Sequence, residues 1–308
     1  MTELMSRAAG RHRPLMVLSV AAAVLAVVTA VGVVVDGRVL TGVPIWLKPF
    51  KFSVSFALYA ATLAWMLAQL PRRSRLAEWS AGVVVATALV EMVVIVGQVL
   101  RGTTSHYNQT TPLNAALWQV MGIAIMVLFA AHLIVAVVLL VRRPTDRATT
   151  WAVALGLGLS ALGMLAAFPM VAQDRAGPDG IAGAHSVGVP DGGPGLPIVG
   201  WSTTGGDLRI GHFVGLHAMQ ALPILAYLLR RYLGHWLDER SRVRLLVVAG
   251  AGYGVLTVLL TWQALRGQPL LRPDLATLTA LAALAAATTV TAVAVVARRR
   301  RPELALAA

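Results

Sequence analysis

Glu91 is the residue whose type and place say most about chemistry. It follows Glu78 by 13 residues within an apolar run, and at about 1.5 Å per helical residue that carries it roughly 19 Å inward, near the middle of a bilayer. A lone carboxylate there is expensive, so it is protonated, paired or turned toward an internal polar space. Such a group can accept or relay a proton, or hold a ligating imidazole through a hydrogen bond. Gln98 returns, seven positions on, to nearly the same helical face. In the next run His132 lies ten residues before Arg142, and Asn114, about five turns earlier, shares its face. His217 and Gln220 stand on one face of a later run, with Pro223 just beyond them to free the carbonyl of Met219 and kink the helix. His212 is one turn from His217 but about 140° around the axis. Neutral imidazoles ligate haem iron or exchange protons. Glu91 and His217 are therefore the candidate catalytic groups, and His132, His217 and His212 the candidate cofactor ligands.

A second set of polar residues lies between the apolar runs. His106, His185, Asp191 and Asp207, joined by Asp174 and Asp179, are hard or intermediate donors that could hold a divalent metal. No pair of them has the spacing of a hydrolytic zinc site, and no H-E-x-x-H occurs. Arg209 could stand with His217 near an anionic group of a substrate, and Trp201 belongs to the apolar residues that pack the connection 174–210. Each residue also has a purely structural reading. Glu91 can be a protonated hydrogen-bond donor, His132 can bind a neighbouring carbonyl, and Lys48 and Lys51 can snorkel to headgroups.

The elements that must position these groups follow from composition. Of 308 residues 57% are hydrophobic and 13% charged, with mean hydropathy +0.74, where a soluble domain carries roughly 25% charged residues. Apolar runs fall at about 14–35, 50–70, 79–100, 115–141, 151–173, 211–230, 245–265 and 275–297, several of them beyond the roughly 20 residues that span a bilayer. The reading is an all-α integral membrane protein, a bundle of about eight transmembrane helices. The +13 net charge sits in short clusters between the runs and forms no stripe for nucleic acid. The absence of cysteine excludes disulfides and thiolate chemistry.

With the N-terminus inside, the inner segments hold 18 of the 26 Lys and Arg residues, which places both termini in the cytoplasm by the positive-inside rule. Trp46, Trp79, Trp118, Trp151, Trp236 and Trp262 fall near run ends, where indoles settle. Rich Ala, Val, Leu and Arg with two lysines resembles a high-GC bacterial gene, hence a bacterial cytoplasmic membrane. The connection 174–210 carries ten glycines and four prolines with interleaved Val187, Leu196, Ile198 and Trp201. That mixture predicts an ordered cap over the outer mouth.

Gln98-Val99-Leu100-Arg101-Gly102 closes the third run and Gln263-Ala264-Leu265-Arg266-Gly267 closes the seventh. This echo suggests a 4+4 parallel repeat. An eight-helix, four-plus-four plan resembles haem A synthase in topology. That family places histidines on paired helices of both halves, whereas the second and eighth runs here contain none, so no ligand position carries over. Four readings follow: a haem- or metal-binding redox protein served by an electron donor, a proton-coupled small-solute transporter, an outer-face enzyme acting on a lipid or lipid-linked substrate, and a sensor or assembly subunit. Membrane lipids are the expected surroundings in each.

Overall fold

Eight helices in the chain are long and apolar enough to cross a membrane, giving it the make-up of a multi-pass membrane protein. In the computed structural model, which describes residues 12–143, 146–173 and 180–298, they are α1 (Arg13–Val35), α2 (Leu47–Ala68), α3 (Arg75–Leu100), α4 (Pro112–Arg142), α5 (Arg147–Leu165), α6 (Arg209–Leu233), α7 (Glu239–Leu265) and α8 (Leu275–Ala297). A five-residue helix, Phe168–Ala172, continues the fifth crossing after a turn. The candidate ligands Asp174 and Asp179 lie outside the described residues.

Polar residues before the apolar runs start several helices. Ser74, Thr111, Asp146 and Asp274 each accept a first-turn N–H, of Ala77, Asn114, Thr149 and Thr277, and thereby fill donors that a helix leaves open. His12 does the same for α1 through Nδ1, while its Nε2 donates to the Glu78 carbonyl at the foot of α3. This cap extends α1 back to Arg13.

α1 packs on α2 and α3, α2 on α3, and α3 on α4; α5 packs on α6 and α7, α6 on α7, and α7 on α8. The two groups of four join through α4 with α5 and, more lightly, through α2 with α6. Leu63, Met66, Val84, Ala88, Leu128 and Val135 centre the larger apolar core, which Leu157 and Met219 join from the second group. α5 and α6 touch backbone to backbone. A Cβ on Gly163 would lie 2.4 Å from the Leu216 nitrogen, and one on Gly215 would lie 2.5 Å from the Gly163 Cα. Small residues permit this approach, which maximises dispersion contact where water supplies no driving force.

The connections between α1 and α2, α3 and α4, α5 and α6, and α7 and α8 gather at one end. Two hairpins lie there, β1 (Val39–Leu40) with β2 (Val43–Pro44), and β3 (Ser186–Val187) with β4 (Gly206–Asp207). Residues 180–208 form a cap stitched to their surroundings. The Gln109 and Ala182 amides bond Gly180 and Tyr107 carbonyls at 2.7 and 2.8 Å, and Ala184 bonds Met170 at 3.0 Å. The cap also meets the first hairpin so closely that a Cβ on Gly42 would sit 2.3 Å from the Gly192 oxygen. Gly42 has φ 74°, a left-handed conformation that admits this contact.

Candidate functional site

α2 begins under the cap, and its first turns carry both lysines of the chain. Three residues apart, they share a face. The Lys51 ammonium donates to the Val199 carbonyl at 2.9 Å. Beside it Arg209, the first residue of α6, donates to the Gly200 carbonyl at 2.6 Å and pairs with Asp207 at 2.5 Å. Lys51 is thus not a headgroup-facing lysine; it fastens the cap. Lys48 lies within electrostatic reach of Lys51, Arg209, Glu91 and Asp191.

Glu91 is 1% exposed, and its Oε1 has no hydrogen-bond partner. The charge that acts on it is Lys48. Nearby, His106 lies in an aromatic nest, with ring centroids 5.5 Å from Phe52, 5.6 Å from Trp118 and 6.1 Å from Tyr107. Burial pushes the His106 imidazole well below its ordinary value, and the Lys48 and His185 charges push the same way. His106 is therefore neutral, with Nδ1 at 3.1 Å from the Ser105 hydroxyl. Burial also raises the Tyr107 phenol, and Asp191 adds to the rise.

The remaining candidates divide by what already holds them. Asp207 is fully buried and accepts from the Ser202 and Arg209 amides and from the Arg209 guanidinium. Asp191 accepts from the His185 ring at 2.7 Å and from the His185 and Ser186 amides. Burial alone would raise the Asp191 carboxyl, but these bonds and the His185 charge hold it well below the usual carboxylate range. His185 is lowered by burial, partly offset by Asp191. Trp201 contributes its carbonyl to a turn with Leu196. Among the described residues no three His, Asp or Glu side chains gather where a metal ion could sit.

His132 is fully buried and both of its ring nitrogens are engaged. Nε2 donates to the Leu157 carbonyl at 3.1 Å, which leaves Nδ1 to accept from the Tyr59 hydroxyl at 2.9 Å. It ties α2, α4 and α5 together and has no nitrogen left for iron. His212 Nδ1 donates to the Gly163 carbonyl at 2.8 Å across the α5–α6 crossing. His217 Nδ1 lies 3.4 Å from Gln220 Oε1, and the Gln220 amide reaches Thr62 of α2 at 3.1 Å. No hydrogen bond or ion pair joins Glu91, His132 and His217 among the described residues.

Gln98 and Asn114 do not open toward Glu91. They form a corner: Gln98 Nε2 reaches Asn114 Oδ1 at 3.1 Å, and Arg101 donates to both side chains at 2.5 and 3.0 Å. Gln98 Nε2 also reaches the Thr104 carbonyl six residues on at 3.3 Å, as Gln263 Nε2 reaches the Pro269 carbonyl at 2.9 Å, while Arg266 instead reaches Asp274 at 2.5 Å. Gly102 and Gly267 close the two corners with φ 72° and 74°.

Lys48 is the site residue that sequence reasoning undervalued. Its signal was present: two lysines among 24 arginines, both within one turn at the same helix start. Comparison with family models, curated proteins and solved structures finds no match.

Proposed function

We propose that the chain is a proton-coupled carrier for a small solute in the bacterial cytoplasmic membrane, with the cap end outward. Glu91 is its proton-binding group, Lys48 the counter-charge, and residues 180–208 the gate. The observation that carries this reading is the unpartnered, buried Glu91 oxygen. A proton removes a charge that the surrounding apolar side chains cannot solvate, and the Lys48 ammonium offsets the same charge when the proton leaves. Two states of similar cost at one carboxyl are what a proton cycle needs. A haem-centred redox reading draws less support, because His132 is held at both nitrogens, and His212 and His217 point about 140° apart on one helix.

The halves are read as parallel copies. The helix pairings within α1–α4 recur within α5–α8, and the Gln-x-x-Arg-Gly corners match in sequence and in the bond from each glutamine amide to the carbonyl six residues on. Leu47-Lys48 with Lys51-Phe52 is echoed by Leu208-Arg209 with His212-Phe213. Lys48 and Arg209 are then counterparts within electrostatic reach of one another.

Infrared titration tests the proton site. The wild-type protein should show a carboxyl C=O band that appears on acidification and is absent from Glu91→Gln at unchanged thermal stability. A band retained in full by that variant would remove Glu91 from the role.

A second reading, an enzyme for a lipid-linked substrate, is favoured by one feature. An apolar recess of about 290 Å³ opens between α5 and α7, lined by residues that include Leu162, Pro169, Thr257 and Trp262, and it suits an acyl chain. Under this reading Val258→Trp, at an exposed position of the recess, should abolish activity, whereas a carrier with that change keeps its uptake.

A further inference from the structure

Among the described residues the charges beneath the cap do not balance. Asp207 is held by Arg209 and Asp191 by His185. Glu91 is the carboxyl left to act on Lys48, and Lys51 has a carbonyl as its partner, with no carboxylate at ion-pair distance among the described residues. The start of α2, whose N-cap Trp46 gives no side-chain bond, adds the partial positive charge of a helix N-terminus. Phe52 and Trp118 enclose His106, which lies within electrostatic reach of Lys48. The Lys48 ammonium therefore lies within electrostatic reach of an unpaired buried acid and of the imidazole that the aromatic rings enclose.

We propose that the solute is a small organic anion, a carboxylate with an apolar or aromatic body, whose charged end pairs with Lys48 while a proton sits on Glu91. This rests on the reading of Glu91 as the proton site. When Glu91 is ionised, Lys48 already has its counter-charge and an incoming anion meets a like charge. When Glu91 is protonated, the ammonium is free for the anion. Proton and anion each raise the other's affinity by the same factor, as linkage requires. The Lys48 pair is neutral both empty, with ionised Glu91, and loaded, with protonated Glu91 and one anion. The other groups within electrostatic reach of Lys48 are Lys51, Arg209, Asp191, His185 and His106; the first four have partners in the cap, and His106 is neutral beside Ser105.

Benzoate, benzylammonium and sulfate are suitable probes for the purified full chain, with calorimetric titration at mildly acid and mildly alkaline pH. Benzoate alone should bind, tightening by up to about tenfold for each unit of acidification when one proton accompanies one anion. Glu91→Gln, a fixed mimic of the protonated acid, should bind benzoate with no pH dependence. Lys48→Gln should lose binding and Lys48→Arg should restore it, which separates loss of the ammonium from misfolding. Binding of benzylammonium in preference to benzoate would overturn the proposal, as would benzoate affinity that ignores pH in the wild type. If the Glu91 infrared band still titrates in that case, the proton site stands and only the anion fails; if the band is missing, the underlying reading fails as well.

Discussion

A buried polar group whose hydrogen-bonding positions are all filled is held in place; one with a position empty is available for something else. His132 is of the first kind. His132→Ala would strand the Tyr59 hydroxyl, at about 1–3 kcal/mol, and remove the cross-helix bond to the Leu157 carbonyl. The expected outcome is a clear loss of thermal stability in detergent with the pH response of ligand binding intact. Glu91 is of the second kind, so Glu91→Gln should leave the melting temperature unchanged or raise it while removing the titration. The cost of Glu91 could be read from its place in an apolar run. Its setting could not, because Lys48 lies 43 positions earlier and on another helix. The partners of His132 come from two further helices, and no spacing along one run encodes them. Gln98 shares a face with Glu91 as its spacing requires, yet it is drawn into the corner by Asn114 and Arg101, an attraction that helical periodicity does not contain.

Helices and loops obey different rules, and two contrasts test them. Gly163 and Gly158 both lie on α5, but a Cβ at the first collides with the α6 backbone while at the second it meets nothing within 4 Å. Gly163→Val should cost about 3 kcal/mol or more through forced separation of the helices, read as lost yield and a lowered melting temperature. Gly158→Val should be silent. In the cap, His185 and Asp191 both bind protons less readily in the folded loop than their ordinary values of 6.5 and 3.8 imply. An opened loop therefore takes up more protons. The stabilisation from His185 is complete above pH 6.5 and fades below it, and that from Asp191 fades below pH 3.8. Limited proteolysis within 180–208 should accelerate as pH falls through these ranges, and Asp191→Asn should make cleavage faster already at neutral pH. The eight helices were legible because hydropathy fixes them, although α3 and α5 start about four residues earlier than the apolar runs, at the Ser74 and Asp146 caps. The seat of the cap was not legible, since it depends on Gly42 meeting Gly192 across 150 residues.

At the scale of the whole molecule, the distribution of arginine and lysine is the ground for the proposed orientation. In this cysteine-free protein, single cysteines at Thr204 and Gln109 should react with an impermeant reagent in intact cells, and one at Arg72 only after permeabilisation. The reverse pattern would invert the proposed carrier and turn the cap toward the cytoplasm. The cap also has a mechanical consequence. Lys51 belongs to α2 in the first group of helices and Arg209 to α6 in the second, and they grip adjacent carbonyls, Val199 and Gly200. A hydrogen bond tolerates only a few tenths of an ångström of stretch, so the two groups cannot swing apart while both grips hold. The turn at 199–200 is therefore a clasp worn across a seam, and the proposed gate can open only once it lets go.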